Sequence, residues 1–491
     1  MENYRDKIQA CWVGKNVGGT LGAPYEGAPG PHSFTYYDPV PVEPLPNDDL
    51  VLQLLWLILA EENGLGLAWP HFADMWANCI KYHMDEYGIA KWNLKRGLIP
   101  PDTGLHNNWF VDGMGSAIRS EIWACLFPAK PKVAAHFARL DASVDHHGDG
   151  VWAEMFLSAA QSQAFVAKTT QEAIGAGLEV IPSDCRIAEV INFVTDLYNS
   201  KVDIADVRTK IMDKFGKLNF TDCVMNMGFI IAAMLYGEND FSKTILIAVN
   251  FGMDSDCTTA TCGGFMGILL GTKAIEQKWI DPIGRDIAFP DWMAHLPLPK
   301  TDEELTDRVI ALGEKLNAQL DDNFVIDISE PKCGQLPDDD HQWLLFASDG
   351  VGEPKEVQLA AEDFDAYKDK AVKFDRIEMD LQKYVKSSKM SVTLLTKLTT
   401  PVDVNGYFMV TAGSNMSVCL GDHTIMGYYG RLAQVPAIHR TEGGTSAPVD
   451  LKAGKEYLIK IRLSFYLPGM TVIAALFDQH GHYVPGFKFS V

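Results

Sequence analysis

Four aspartates, in two short segments, carry the strongest chemical signal in this chain. Asn47-Asp48-Asp49 stands directly before the apolar run that begins at Leu50. Asp254-Ser255-Asp256-Cys257-Thr258 follows Asn250-Phe251-Gly252 and leads into a stretch containing Gly263, Gly264, Gly267 and Gly271. A carboxylate at a helix N-terminus caps exposed N–H groups and complements the dipole, so one aspartate in each segment has an ordinary structural use. Two aspartates plus hydroxyls beside so many glycines exceed that use. Carboxylates at i and i+2 of a turn can aim at one point. Four of them converge only with a compensating cation, because packed like charges are costly. Oxygen donors select hard divalent ions such as Mg²⁺, Mn²⁺ or Ca²⁺.

A third element is the glycine-rich run from Gly14 to Glu26 (GKNVGGTLGAPYE). It lacks the Gly-Lys-Ser/Thr ending of a phosphate loop and follows no strand, so neither that motif nor a dinucleotide fingerprint is a good match. Close helix packing followed by a loop from Pro24 explains the glycines, and Glu26 is then a solvated loop acid.

The elements that must position these segments change character along the chain. Residues 1 to about 325 read as helices: Leu50, Leu54, Leu57 and Ile58 recur at helical spacing, as do Val151, Met155, Phe156 and Ala159. Phe229 to Leu235 is apolar on nearly every face and predicts a central helix. Residues 329–343 (SEPKCGQLPDDDHQW) read as a linker. Beyond it, Ser391 to Leu398, Tyr407 to Thr411 and Tyr457 to Leu463 are β-prone, the last with Lys460 and Arg462 facing out. Asn405-Gly406, Ala453-Gly454 and Pro468-Gly469 read as turns between such strands. The expectation is an all-α domain over 1–328 and an antiparallel β-sandwich, jelly-roll-like, over 344–491.

Composition narrows the partners. With 42 basic against 64 acidic residues the net charge is −22, which disfavours nucleic acid and anionic membrane surfaces. The longest apolar run, Leu50 to Ala60, is too short to cross a bilayer. Nine cysteines, an odd number mostly in apolar helical context and without zinc spacing, read as reduced thiols. That usage and the polar start of the chain favour the cytoplasm, with export open if a signal has been trimmed. The expected partner is a small-molecule or glycan substrate.

Taken together, the three elements resemble the ADP-ribosylglycohydrolase family. Its first helix reads GxxxGDxLGxPxE, matched by Gly14, Gly18, Leu21, Gly22, Pro24 and Glu26. Its TDDT motif is similar to Asn47-Asp48-Asp49-Leu50, and its GGDTDT motif to Gly252 through Cys257. Asp112 through Arg119 resembles the family's NGxxMR stretch, and Ser143 through His146 its SxxTH stretch. The resemblance covers roughly residues 5 to 275. It implies a helical bundle with two Mg²⁺ ions in a cleft and cleavage of an N- or O-glycosidic bond at the anomeric carbon of ADP-ribose. It implies Asp48, Asp49, Asp254 and Asp256 as metal ligands, with Asn47 and Thr258 beside them. Glu26, Asp48 and Asp256 are the implied catalytic residues, and Gly113, Gly115, Ser116 and His146 the implied substrate contacts. Arg119 reads instead as a partner for an acid inside the bundle.

This chain departs from the family pattern at four places. Gly19 replaces an acid, Asn47 a threonine, Leu50 a hydroxyl ligand and Cys257 the last threonine, so one ion or two remain open. A thiol holds Mg²⁺ poorly. The nearest basic pair in sequence, Lys95-Arg96, lies outside the motifs. A neutral glycoside or nucleoside substrate without ADP is therefore an alternative, and a metal-poor ligand-binding relative without turnover is another. Tyr25, Trp109 and Phe110 can stack on a base or sugar, and Tyr428, Tyr429 and Tyr466 can form a sugar platform on the β half. Aromatics at such spacings more often serve packing.

Overall fold

The first helix, Glu2–Gly22, and the helix Ser255–Leu270 lie backbone against backbone. A Cβ on Gly18 would fall 2.2 Å from the carbonyl oxygen of Thr259, and one on Gly22 would fall 2.2 Å from that of Ser255. Glycine alone allows this approach. The end of the first helix is thereby set directly on the backbone of Asp256, which lies 2.5 Å from the same Gly22 position. These features come from a computed structural model, which describes residues 2–217, 219–337, 341–350, 354–374, 376–385, 387, 389–412, 414–428, 445–464 and 471–491.

The chain divides into two compact units. The first comprises Met1–Lys81, Ile99–Gly104 and Val111–Lys332, and its described secondary-structure elements are helices. Ser255–Leu270 packs on Glu2–Gly22, Asp149–Ala164, Cys223–Tyr236 and Phe241–Phe251. In Cys223–Tyr236 every residue from Cys223 to Leu235 is buried, as its apolar faces predict. The helix Asp48–Asn63 is buried from Asp49 through Ala60. No helix among the described residues is long and apolar enough to cross a membrane.

The second unit comprises Tyr82–Leu98, Leu105–Phe110 and Cys333–Val491. Its β part begins at His341, inside the stretch read as a linker. The two upstream segments, which the sequence offers as part of the helical half, join this unit because Ile89, Trp109 and Phe110 are buried in its core. Among the described residues eleven strands form two sheets. They are β1 His341–Asp349, β2 Ala371–Phe374, β3 Glu378–Asp380, β4 Met390–Thr399, β5 Val404–Ala412, β6 Asn415–Leu420, β7 His423–Tyr428, β8 Ser446–Leu451, β9 Tyr457–Ser464, β10 Thr471–Asp478 and β11 Lys488–Ser490. One sheet has the order β2-β1-β11-β4-β9-β6-β7 and the other β3-β10-β5-β8. Pairing is antiparallel except between β1 and β11. Inward side chains of both sheets, such as Leu394 and Ile461 on one and Phe408 and Leu476 on the other, share a single hydrophobic core.

Two local expectations change. Asn405-Gly406 is not a turn but part of β5, where a Cβ on Gly406 would meet the carbonyl of Phe477 at 2.0 Å. A glycine in a strand marks such a close backbone approach as readily as a turn. Trp109 and Phe110 are core residues, with Trp109 edge-on to Tyr483 at 5.4 Å. Tyr429, Tyr466 and Pro468-Gly469 lie outside the described residues.

Candidate metal centre

Asn47 is the N-cap of Asp48–Asn63, and its Oδ1 accepts the Asp49 N–H at 2.7 Å. That cap places Asp48 at the surface and turns Asp49 inward, where it is fully buried. Asp254 sits at the N-cap position of Ser255–Leu270, but its side chain makes no cap hydrogen bond. The two preceding residues, Gly252 and Met253, both have left-handed backbones, with φ of 74° and 65°. Such a conformation is strained for methionine and typical of a functional turn. The turn is held from outside: the Gly27 N–H donates to Met253 O at 2.9 Å and the Met253 N–H to Ala28 O at 2.7 Å. The Glu26 loop is thus stitched to the Asp254 turn.

These elements bring the two aspartate segments to one place. Ligand atoms of Asp49, Asp256 and Cys257 lie within 4.8 Å of one another, and so do those of Glu26, Asp254 and Asp256. Asp256 belongs to both groups. Asp49 Oδ2 and Asp256 Oδ1 are buried with no hydrogen-bond partner. Burial pushes the Asp256 carboxyl well above the usual carboxylate range, and Asp254 and Asp49 push it further. Burial likewise raises Asp49 well above that range, against the pull of the Lys15 ammonium. Buried, donor-poor carboxylates facing one another fit a divalent cation, whose charge reverses this balance.

Lys15, which the sequence reading passes over, lies beneath Asp49. It is 1% exposed, and its Nζ donates to Ile118 O at 2.6 Å, Glu121 Oε1 at 3.0 Å and Asp49 Oδ1 at 3.4 Å. Burial works to lower its pKa, but Glu121 and Asp49 outweigh burial and raise it. Gln53 completes the group by donating to Glu121 Oε2 at 2.9 Å. The available signal was a lone lysine inside an otherwise small and apolar helix segment. The ammonium occupies one oxygen of Asp49 and leaves the other, Oδ2, buried without a hydrogen-bond partner.

Other motif residues are placed differently from their implied roles. The Thr258 hydroxyl is buried and donates back to Ser255 O at 3.4 Å. Ser116 is buried and its hydroxyl donates to Gly150 O at 2.8 Å. Gly113 pairs with Asp222 in an isolated bridge, and Gly115 O accepts from Arg119 Nη1 at 2.6 Å. His146 is 0% exposed, with Nδ1 2.9 Å from Asp145 Oδ1. Arg119 makes the internal ion pairs expected of it: Nε lies 2.9 Å from Asp141 and Nη2 2.6 Å from Asp145. Tyr25 stacks on Phe34 at 4.0 Å.

Gly19 and Asn47 are a matched departure from the family pattern. A Cβ on Gly19 would fall 2.5 Å from Asn47 Nδ2. Asn47 cannot swing away without breaking its cap to Asp49. Gly19→Asp is therefore expected to lower stability by at least about 1 kcal/mol, the usual worth of a cap, and to be rescued by Asn47→Thr. A double-mutant cycle in urea checks this; additive effects would show that the two sites do not touch.

A second buried cluster surrounds Arg119. Glu154 is fully buried and faces Asp141, and burial, reinforced by Asp141, pushes its carboxyl well above the usual range. Burial pushes Asp141 up to about 6, while Arg119 and His146 outweigh burial at Asp145 and hold it down to about 2. A raised folded pKa favours the native state below the unfolded value and loses that contribution as pH rises through the folded value. Between the ordinary carboxylate range near about 4 and pH 6, the Asp141–Glu154 pair therefore costs native stability. Glu154→Gln should flatten the fall in Tm between pH 4.5 and pH 7, as read by scanning calorimetry. An unchanged slope would show that these raised carboxyls do not govern stability in this range.

The ADP-ribosylglycohydrolase family matches residues 1–317 of this chain. ADP-ribosylarginine hydrolase Tri1 of Pseudomonas putida (strain GB-1) is 25% identical over 99 residues, which are 19% of this chain and 24% of that protein. The chain thus matches well under two thirds of that relative's length. A solved structure described as an ADP-ribosylglycohydrolase-related protein complex has 18% sequence identity and a TM-score of 0.45, covering 64% of this chain and 99% of that one.

Proposed function

Since this chain belongs to the ADP-ribosylglycohydrolase family, we propose that it is a divalent-cation-dependent hydrolase of an N- or O-glycosidic bond. The carrying observation is that ligand atoms within the group Asp49, Asp256 and Cys257, and within the group Glu26, Asp254 and Asp256, lie within 4.8 Å of one another, with Asp49 Oδ2 and Asp256 Oδ1 buried and without a hydrogen-bond partner. Asp49, Asp254 and Asp256 would hold the cation, with Asp48 at the rim. A bound divalent cation supplies orientation of sugar hydroxyls and a lowered pKa for water. The chain supplies the rest. Glu26 is exposed and grouped with Asp254 and Asp256, so its carboxylate can take a proton from an attacking water or face the positive charge developing on the sugar ring. The Gly27–Met253 and Ala28–Met253 hydrogen bonds hold it there. Gly113, Gly115, Ser116 and His146 are all buried, so they support the site from beneath its surface.

A second substrate reading has its own support. Lys15 and Arg119 are fully buried and bonded to carboxylates. Neither can meet a diphosphate. A neutral glycoside or nucleoside therefore stands beside an ADP-ribosyl substrate as a reading to be tested. Hydrolysis of ADP-ribosyl, nucleoside and aryl-glycoside substrates should be measured with Mg²⁺ or Mn²⁺ and again after chelation. Turnover of one class that disappears on chelation is the expected result. Turnover unaffected by chelation overturns metal dependence, and ligand binding without turnover in the metal-loaded protein points to a binding relative.

A further inference from the structure

We infer that the buried half of the centre, Asp49 with Asp256 and Cys257, is a mixed carboxylate–thiolate site that takes a borderline or soft divalent ion such as Zn²⁺ or Co²⁺ in preference to Mg²⁺. The inference rests on the metal-dependent reading above and goes beyond it by assigning the ion class. One carboxylate oxygen from each aspartate and the Cys257 sulfur lie within 4.8 Å of one another, and all three residues are buried. Asp49 Oδ2 and Asp256 Oδ1 are buried and have no hydrogen-bond partner, and the two residues are 0% and 7% exposed. The Cys257 sulfur is the third donor, and nothing softer than oxygen is found in the outer group of Glu26, Asp254 and Asp256.

The physical argument is the donor chemistry. Thiolate favours Zn²⁺ and its neighbours, whereas Mg²⁺ requires oxygen and holds its water tightly. Lys15 strengthens the contrast. It occupies Asp49 Oδ1 at 3.4 Å, so Asp49 offers the site a single oxygen rather than a bidentate pair. A hard ion loses more by that restriction than an ion with a sulfur ligand. On binding, the sulfur–metal bond forms as the thiol releases its proton to solvent. The two halves then differ in kind: a sulfur-containing inner position and an oxygen-only outer position, with Asp256 common to both.

Cobalt reports the ligand directly, because a Co²⁺–thiolate bond gives a near-ultraviolet charge-transfer band that carboxylates do not. The full chain, stripped of metal by chelation, is titrated with Co²⁺ in a spectrophotometer and a calorimeter, then with excess Mg²⁺. The expected result is a charge-transfer band that saturates with the binding heat and survives Mg²⁺. In folded Cys257→Ser the band should be lost, and the Co²⁺ over Mg²⁺ preference should fall at least about tenfold, the usual scale for altering a metal's surroundings. Binding heat without the band, a band that Mg²⁺ erases, or a band that persists in Cys257→Ser would each overturn the inference while leaving a metal-dependent hydrolase standing. No heat from either ion would overturn that broader reading as well. The wild-type titration decides between these outcomes even if the variant fails to fold.

Discussion

Replacing Asp256 with asparagine is expected to abolish hydrolysis and divalent-ion binding while making the metal-free protein more stable. Asp256 belongs to both ligand groups, so no other single carboxylate removes as much of the centre. Loss of a cation that contributes several kcal/mol to the transition state lowers kcat/KM by at least about 10³-fold. Stability should move the other way. Burial and the neighbouring Asp254 and Asp49 raise the Asp256 pKa. The stability linked to a raised pKa is present below the unfolded value and lost as pH rises through the folded one. At pH 7 the metal-free wild type is strained by this crowding, and an amide relieves it. Calorimetric Tm of the chelated proteins at pH 7, with Mg²⁺ and Co²⁺ titrations beside it, measures both effects. A lower Tm for Asp256→Asn without metal would show that the carboxylate is structural rather than held in readiness for an ion.

Arg119→Met should have the largest effect on folding. The guanidinium is 0% exposed and meets Asp141, Asp145 and the Gly115 carbonyl, with Trp76 beneath it at 5.4 Å. Methionine fills much of the volume but leaves Asp145 and the Asp141–Glu154 pair without a counter-charge. Breaking a buried pair in this way costs about 3–5 kcal/mol. Urea unfolding at pH 7 gives the value. Adding Asp145→Asn to Arg119→Met should recover part of the loss, because it removes the carboxylate that Arg119 holds most closely. A cost under about 1 kcal/mol, the scale of a surface ion pair, would show that water reaches the cluster. His146 leans on Asp145, so this variant should also disturb the backbone from Asp145 to Gly150 that the Ser116 hydroxyl meets.

Much of this molecule is written locally. The apolar run from Leu50 to Ala60 and the all-apolar faces of Cys223–Tyr236 can only be buried helices, and the alternation from Tyr457 to Leu463 can only be a half-buried strand, because period and hydrophobicity act within one element. The aspartate pairs are legible for the same reason: each sits at a helix start, and each has more acid than a cap requires. The glycines at 18 and 22 announce a close approach but do not say to what.

Other features belong to the tertiary structure, because they depend on neighbours far apart in sequence. That Gly22 rests on Asp256, that Lys15 reaches Glu121 across 106 positions, and that Glu26 is stitched to Met253 are contacts no spacing rule contains. The assignment of Ile89, Trp109 and Phe110 to the β-rich core is of the same kind, since a buried aromatic is apolar whichever core receives it. Thr258 and Cys257 show the limit most sharply. They are adjacent in sequence and both are short side chains at the helix start, yet one turns its hydroxyl back to the helix and the other brings its sulfur to the carboxylates. Sequence supplied the set of donors; the roughly 100° step between successive helix positions and the backbone packed behind them decided which of those donors meet.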